Sequence, residues 1–186
     1  MPQAKDPYQL RLSGSGGQGL ILAGMIIAEA AVFDGKNVVQ TQSYGPEARL
    51  GASRSEVIIS SRKISSLEVI EPDLLLCLSQ DAFNKYSSQV RRDTVIVVDS
   101  TNVKSTQLPK VERVFCLPIT EVAIHDVGEK ITANVVALGA LNEMEEIVSW
   151  ESLYRALHNR VPPHFRRVNE RALQIGRELV LHMAGD

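Results

Sequence analysis

Apolar and polar residues alternate along the first two thirds of the chain in a way that predicts strands separated by helices. Residues 8–13 alternate and predict a strand, and residues 19–34 are apolar nearly all round, which predicts a buried helix. Further strands are predicted at 37–42, 54–60, 74–78, 94–98 and 111–117, with a helix at 79–89. From Ile119 onward the period becomes helical, with helices at 119–127, 132–144, 150–160 and 164–183. The pattern predicts an α/β fold: a single three-layer domain over residues 1–186, with a mostly parallel, Rossmann-like sheet and a helical C-terminal third.

Composition narrows the class of protein. The 186 residues carry a net charge of -2 and only 5% aromatic residues, which argues against a nucleic-acid or anionic-membrane partner. No apolar run reaches the roughly 20 residues that cross a membrane, and residues 1–7 do not resemble a signal peptide. We therefore expect a cytoplasmic protein.

The glycine-rich segment after the first strand is the strongest local motif. Gly14, Gly16 and Gly19 match the pattern G-x-G-x-x-G between a strand and a helix, with Gly17 and Gln18 inside it. Glycine allows a tight turn and a close backbone approach, and the free N–H groups of the following helix favour an anion. The loop is therefore a candidate phosphate-binding turn.

Two other interpretations of this loop stay open. A stand-alone Rossmann-type nucleotide-binding oxidoreductase should have an acid after the second strand to hold the ribose, but Gln40-Thr41-Gln42-Ser43 stands there. In the second alternative the protein is a pure scaffold whose glycines only permit a tight junction. Gln18 argues mildly against that, since a packing turn has no need of a long amide side chain.

A second polar segment follows the second strand. Tyr44, Arg49 and Arg54 lie in or beside a loop that should leave the carboxyl edge of the sheet next to the glycine loop. Arginines beside such a loop suit a phosphate-bearing ligand because guanidinium groups form bidentate contacts. The charges there, which include Glu56, are also compatible with a solvated surface cluster.

No catalytic or metal-binding set is recognised in the sequence. The histidines lack metal-ligand spacing, and two cysteines, Cys77 and Cys116, cannot hold a four-thiolate iron–sulfur cluster. Five arginines between 160 and 177 make the last helices basic, which suits a solvated face or a partner-binding face.

Several stretches together resemble one family. They are Gly14-Ser15-Gly16-Gly17-Gln18-Gly19, Ser43-Tyr44-Gly45-Pro46-Glu47-Ala48-Arg49, Ser53–Ile59, Leu78-Ser79-Gln80, Asn134–Leu141 and Asn169-Glu170-Arg171-Ala172. On these residues the chain resembles the gamma subunit of 2-oxoacid:ferredoxin oxidoreductases, most closely the 2-oxoglutarate type. Leu50 stands where the family usually has glycine, and Ser61 where it usually has aspartate.

The resemblance implies an accessory subunit of an enzyme that decarboxylates a 2-oxoacid to an acyl-CoA and reduces ferredoxin. It implies partner alpha and beta chains, and in some complexes a ferredoxin-like delta chain, that hold thiamine diphosphate, magnesium and iron–sulfur clusters. This chain alone would bind no cofactor, would lie near the coenzyme A path, and would self-associate when isolated through its apolar docking surfaces. The residues expected to contact coenzyme A are Gly14, Gly16, Gly17, Gln18, Gly19, Tyr44, Arg49 and Arg54.

Overall fold

The computed structural model describes residues 5–43, 52–104 and 110–183. Six strands form one sheet: β1 (Tyr8–Ser15), β2 (Asn37–Ser43), β3 (Ala52–Ser60), β4 (Leu74–Cys77), β5 (Val95–Asp99) and β6 (Arg113–Leu117). The helices are α1 (Leu20–Phe33), α2 (Gln80–Tyr86), α3 (Ile119–Val122), α4 (Ala133–Glu145), α5 (Trp150–Arg160) and α6 (Arg166–Met183). Within the described ranges, no helix is both long and apolar enough to span a bilayer.

The strand order is β2-β3-β1-β4-β5-β6. The strands β1, β4, β5 and β6 are mutually parallel, whereas β3 is antiparallel to both of its neighbours, β1 and β2. Five strands therefore run one way and one runs the other, which confirms the mostly parallel sheet.

One face of the sheet carries the main apolar core. Leu10 and Leu12 of β1 point to this face, together with Val57 of β3 and Leu76 of β4, and α1, α4, α5 and α6 cover them. The helix α1 is apolar nearly all round because it lies between the sheet and α5, as its composition predicted.

Among the described residues, fewer cover the other face of the sheet. Leu75 and Cys77 of β4 alternate with Leu76 along the strand and therefore point to this other face. They pack there with Phe83 and Tyr86 of the short helix α2. The sheet therefore lies between two helical layers, as the three-layer prediction requires.

The helices α4 and α6 are in direct backbone contact. A Cβ added at Gly139 would lie 2.1 Å from the Leu173 carbonyl oxygen, and one added at Gly176 would lie 2.0 Å from that of Val136. These two glycines let the helices approach more closely than side chains allow. The helix α4 therefore packs directly against α6.

Most predicted elements are confirmed, with shifted ends. The helix predicted at 79–89 ends at Tyr86, and its N-cap is Ser79, whose hydroxyl accepts from the Ala82 N–H at 3.3 Å. Ser149 caps α5, and its hydroxyl accepts from the Ser152 N–H. The helix predicted at 119–127 begins as α3, widens into a π-helical turn at Ala123–Val127 and ends at Gly128.

Candidate functional site at the carboxyl edge of the sheet

The glycine loop crosses from the end of β1 to the start of α1, and two of its glycines are required by close packing. A Cβ on Gly14 would lie 2.4 Å from the Gln18 Oε1 atom, and one on Gly19 would lie 2.5 Å from the Asn134 Nδ2 atom. Gly19 also has a φ of 71°, a left-handed conformation that favours glycine. These two positions are therefore explained by the fold alone.

The side chain of Gln18 joins two strand ends. Its Oε1 accepts from the Ser15 N–H at 2.6 Å, and its Nε2 donates to the Leu78 carbonyl at 3.0 Å. Both ends of the amide are thus used to hold the loop against the end of β4. Gln18 shapes the loop, which accounts for its position among the glycines.

Gly16 and Gly17 form the open side of the loop. Both are exposed, and a Cβ added at either would meet no atom within 4 Å. Gly17 has a φ of 86°, whereas Gly16 needs no such conformation, so nothing in the fold requires glycine at position 16.

The start of α1 faces the same opening. The helix has no side-chain hydrogen bond at its N-cap, Gly19, and no acid in its first turn. Its first N–H groups and the positive end of its dipole are therefore available to an anion.

Residues from distant parts of the chain support the loop. Asn134, the second residue of α4, donates from Nδ2 to the Gly19 carbonyl at 3.0 Å, and Leu78 accepts from Gln18. Sequence reasoning included Leu78 and Asn134 only in stretches that resemble the family, and assigned them no role. For Asn134, the signal that could have revealed this role is a polar residue at the start of an otherwise apolar helix.

The structure does not place Arg54 with the glycines. Arg54 is paired with Ser13 in the β1–β3 register and projects from the α2 face of the sheet, whereas α1 covers the opposite face. Its guanidinium lies 5.8 Å from the Tyr86 ring centroid, and its Nε is 3.6 Å from the Glu56 Oε1. Arg54 therefore shares the edge of the sheet with the loop but faces another way.

The interpretation of Glu56 as a solvated charge is wrong. Glu56 is buried and accepts from the Nε of Arg11, itself buried, at 2.7 Å. Arg11 also donates to the Val69 carbonyl and stacks on Tyr86 at 5.4 Å from its ring centroid. This ion pair belongs to the interior of the protein.

Three predictions on the second polar segment remain to be placed. Tyr44, Arg49 and Leu50 lie outside the described residues. The following strand begins at Ala52, which pairs with Ser15 of β1 at the start of the glycine loop.

The departure at Ser61 has a local explanation. Its backbone N–H donates to Asp6 Oδ1 at 3.2 Å, and its hydroxyl also donates to that carboxylate. An aspartate at this position would place a second negative charge against Asp6.

The sheet order disfavours a dinucleotide site. In that type of site the acid that holds the ribose follows the strand next to β1. Here β3 separates β1 from β2, and β2 ends in Gln42 and Ser43. Within the described residues, the loop therefore lacks both the acid and the neighbouring strand that would position it.

Within the described residues no cluster of three or more histidine, cysteine or acidic side chains could hold a metal ion. Burial raises the pKa of the Cys77 thiol to about 12, so this cysteine is protonated at neutral pH and unreactive. The His158 Nε2 atom is within hydrogen-bonding distance of the Glu170 carboxylate, and both side chains are partly exposed. These arrangements are structural.

The comparison with known proteins decides the family. The model of the pyruvate ferredoxin/flavodoxin oxidoreductase family matches residues 9–179. The chain belongs to this family. The resemblance noted in the sequence is thus confirmed, and it spans nearly all of the described fold.

Curated relatives and solved structures agree with this assignment. The chain is 45% identical to 2-oxoglutarate synthase subunit KorC of Methanocaldococcus jannaschii, over 95% of this chain and 96% of that protein. It is 30% identical to the gamma subunit of the NADH-dependent phenylglyoxylate dehydrogenase of Aromatoleum evansii, over 82% of each. The crystal structure of a keto/oxoacid ferredoxin oxidoreductase gamma subunit from Geobacter sulfurreducens superposes with a TM-score of 0.84 at 46% identity, covering 94% of this chain and 99% of that one.

The same fold also occurs inside a longer chain. A 2-oxoglutarate:ferredoxin oxidoreductase from Magnetococcus marinus matches with a TM-score of 0.85 at 24% identity, covering 96% of this chain but 32% of that one. At this identity the match concerns the fold alone. The described fold is therefore used both as a separate subunit and as a part of a larger polypeptide.

Proposed function

We propose that this chain is the gamma-type accessory subunit of a 2-oxoacid:ferredoxin oxidoreductase that acts on 2-oxoglutarate. The main support for this proposal is the 45% identity to a 2-oxoglutarate synthase subunit over nearly the whole length of both chains. In this proposal the chemistry is carried by partner chains. Those partners are alpha and beta chains, with or without a delta chain, that hold thiamine diphosphate, magnesium and iron–sulfur clusters and pass electrons to ferredoxin.

Co-purification from the source organism tests the subunit role. An affinity tag on this chain should capture a thiamine-diphosphate-binding chain, and the captured complex should form succinyl-CoA from 2-oxoglutarate with reduction of ferredoxin. Recovery of this chain alone, or of a complex inactive on 2-oxoglutarate but active on another 2-oxoacid, would contradict the proposal or its substrate.

The open side of the glycine loop is proposed to contact coenzyme A in the assembled enzyme. The support is the combination of exposed Gly16 and Gly17 with an uncapped helix start, which suits a phosphate group. The solved Magnetococcus marinus enzyme, which shares this fold, has coenzyme A and succinyl-CoA bound. Gln18, Gly14 and Gly19 would act indirectly, by shaping the loop.

Two glycines with the same backbone strain provide a matched test. Gly17 and Gly128 have φ values of 86° and 90°, and an added Cβ meets nothing within 4 Å at either. Gly17→Ala and Gly128→Ala should therefore destabilise the chain equally, by about 1–2 kcal/mol. Only Gly17→Ala should raise the KM of the complex for coenzyme A.

Gly16→Val adds bulk without backbone strain and should raise that KM by about tenfold, equivalent to about 1.4 kcal/mol of binding. Arg49→Ala and Tyr44→Phe test the other predicted contacts by the same measurement. Unchanged kinetics in an intact complex would mean that the loop is a scaffold. A rise in melting temperature of the isolated chain with NAD or FAD would instead favour the nucleotide-binding alternative.

A further inference from the structure

The corner between α5 and α6 concentrates positive charge. Residues 155–171 contain five arginines and one acid, Glu170, in a chain whose overall net charge is -2. The rest of the protein is therefore acidic, and this corner stands out against it.

Three of these arginines have partners within the fold. Arg155 lies 3.8 Å from the centroid of the Phe33 ring, Arg160 pairs with Glu29, and Arg166 donates to a backbone carbonyl at 3.2 Å. They join α1, α5 and α6, so their presence is explained by packing.

The other two arginines have no such explanation. Arg167 and Arg171 are exposed, and neither makes an ion pair or a side-chain hydrogen bond within the described part of the chain. With His164 they are spaced by three and four residues, so they line one side of the α6 start. Beside them, Phe165 is 50% exposed and stacks on His164 with ring centroids 4.3 Å apart.

We call His164, Phe165, Arg167 and Arg171 the arginine corner. Its composition does not serve the isolated chain. The first turn of α6 contains no acid, and Arg166 and Arg167 lie near the positive end of its dipole, where cations are unfavourable. A local arrangement that costs stability without an internal gain points to a role outside the chain.

We infer that the arginine corner is a docking surface for an acidic patch on another subunit of the oxidoreductase. Arginine and aromatic residues are enriched at the centres of protein interfaces, and a guanidinium group binds a carboxylate through two parallel hydrogen bonds. The half-exposed Phe165 supplies the apolar anchor that such interfaces need. A polyphosphate or membrane surface is disfavoured, because two unpaired arginines offer few phosphate contacts and the chain as a whole is negative.

The inference rests on the proposed subunit role, and the experiment separates the two. The probe is the thiamine-diphosphate-binding partner chain or subcomplex, expressed and purified without this chain. Its binding to the full-length wild-type chain is measured by biolayer interferometry at about 0.1 M and about 0.5 M salt. Absence of binding by the wild-type chain at both salt concentrations would contradict the proposed function and this inference together.

Two double variants carry equal changes of net charge. Arg167→Glu/Arg171→Glu reverses the charge of the arginine corner, and Arg62→Glu/Lys63→Glu reverses two exposed charges elsewhere. The first should raise the Kd by at least about tenfold at 0.1 M salt. The ratio of its Kd to the wild-type Kd should be smaller at 0.5 M salt, because exposed charges are screened. The second should leave the Kd within about twofold of the wild-type value.

Two further variants separate charge from folding. Arg167→Lys/Arg171→Lys should retain more affinity than the glutamate variant, and Phe165→Ala should raise the Kd without altering its salt dependence. Melting temperatures of all variants should agree within a few degrees, since the substituted side chains are exposed. Equal affinity of the two charge-reversal variants for the partner would overturn the inference. It would also be overturned if Arg167→Glu/Arg171→Glu lost binding to heparin or anionic vesicles but kept its affinity for the partner.

Discussion

The two faces of the sheet are stabilised by different means. On one face, four helices cover an apolar core in which α4 is buried along almost its whole length. On the other, one short helix covers a smaller apolar cluster, and the neighbouring part of the sheet is filled by the Arg11–Glu56 ion pair and the ring of Tyr86. The helical face is held by burial of apolar area, which tolerates similar side chains, whereas the other face depends on particular charged partners.

This difference affects how each face should respond to substitution. A buried ion pair contributes little against an apolar replacement of both partners, but removing one partner leaves a buried charge. A close helix contact fails instead by added volume.

Removing one partner of the buried ion pair should have the largest effect. Glu56→Leu leaves the Arg11 guanidinium without its carboxylate and should lower the free energy of unfolding by about 3–5 kcal/mol, measured by urea denaturation. The double variant Arg11→Met/Glu56→Leu should recover at least half of this loss. If the double variant were as unstable as the sum of the two single variants, the pair would not be acting as a unit.

Closing the space between α4 and α6 should have the next largest effect. The Cβ of Gly176→Ala would lie 2.0 Å from the Val136 carbonyl oxygen, so the helices must separate, at a cost of about 3 kcal/mol in urea denaturation. Gly24→Ala is a useful comparison, because the added Cβ would meet the hydroxyl of Ser55, a rotatable side chain. A Gly176→Ala protein as stable as the wild type would show that the contact between α4 and α6 can accommodate an added methyl group without loss of stability.

The attachment of α5 to α1 should depend on pH. Asp34 accepts from the Ser149 N–H and hydroxyl, both at 2.7 Å, and from Ser152. Desolvation alone would raise the pKa of Asp34, but these hydrogen bonds outweigh it, and its pKa is lowered below the ordinary value of 3.8. The carboxylate therefore contributes stability above pH 4, and the contribution is lost as the pH falls through the lowered pKa.

Asp34→Asn should accordingly lower the free energy of unfolding by about 1–2 kcal/mol at pH 7. The difference from the wild type should shrink toward pH 2, as followed by urea denaturation at each pH. A difference that does not depend on pH would mean that the loss comes from altered hydrogen-bond geometry and not from ionisation.

An exposed ion pair on the edge of the sheet should have the smallest effect. Arg92 and Glu112 approach within 3.3 Å, but both side chains are more than half exposed. Arg92→Ala should change the free energy of unfolding by less than about 0.5 kcal/mol, and by less still in 0.5 M salt. A larger loss would show that burial is not what distinguishes the Arg11–Glu56 pair from the Arg92–Glu112 pair.

The sequence contains strong signals for the local features of the glycine loop. Glycines between an alternating strand and an apolar helix were sufficient to predict the turn. The inward orientation of Arg11 and Glu56 was not predictable in the same way. A charged residue in an alternating strand is typical of a solvent-facing side, and only the tertiary structure shows that both faces of this strand are covered.

The support of the loop by Asn134 was equally hidden, because it joins residues 115 positions apart. A single asparagine at the start of a helix has several common roles, and the spacing of residues does not distinguish them. The placement of Arg54 away from the glycines has the same origin. Sequence proximity to a loop fixes which edge of the sheet a residue occupies, whereas the register of β3 fixes its face.

The reciprocal glycine contact between α4 and α6 has a consequence for the order of folding. The sheet can form once β6 has been synthesised, but α4 stays uncovered until α6 emerges and seats Leu173 against Gly139. During that interval the growing chain presents an apolar helix to the cell, so this stretch is where a chaperone has most to shield. The middle of α6 therefore covers α4 and also forms part of the finished core.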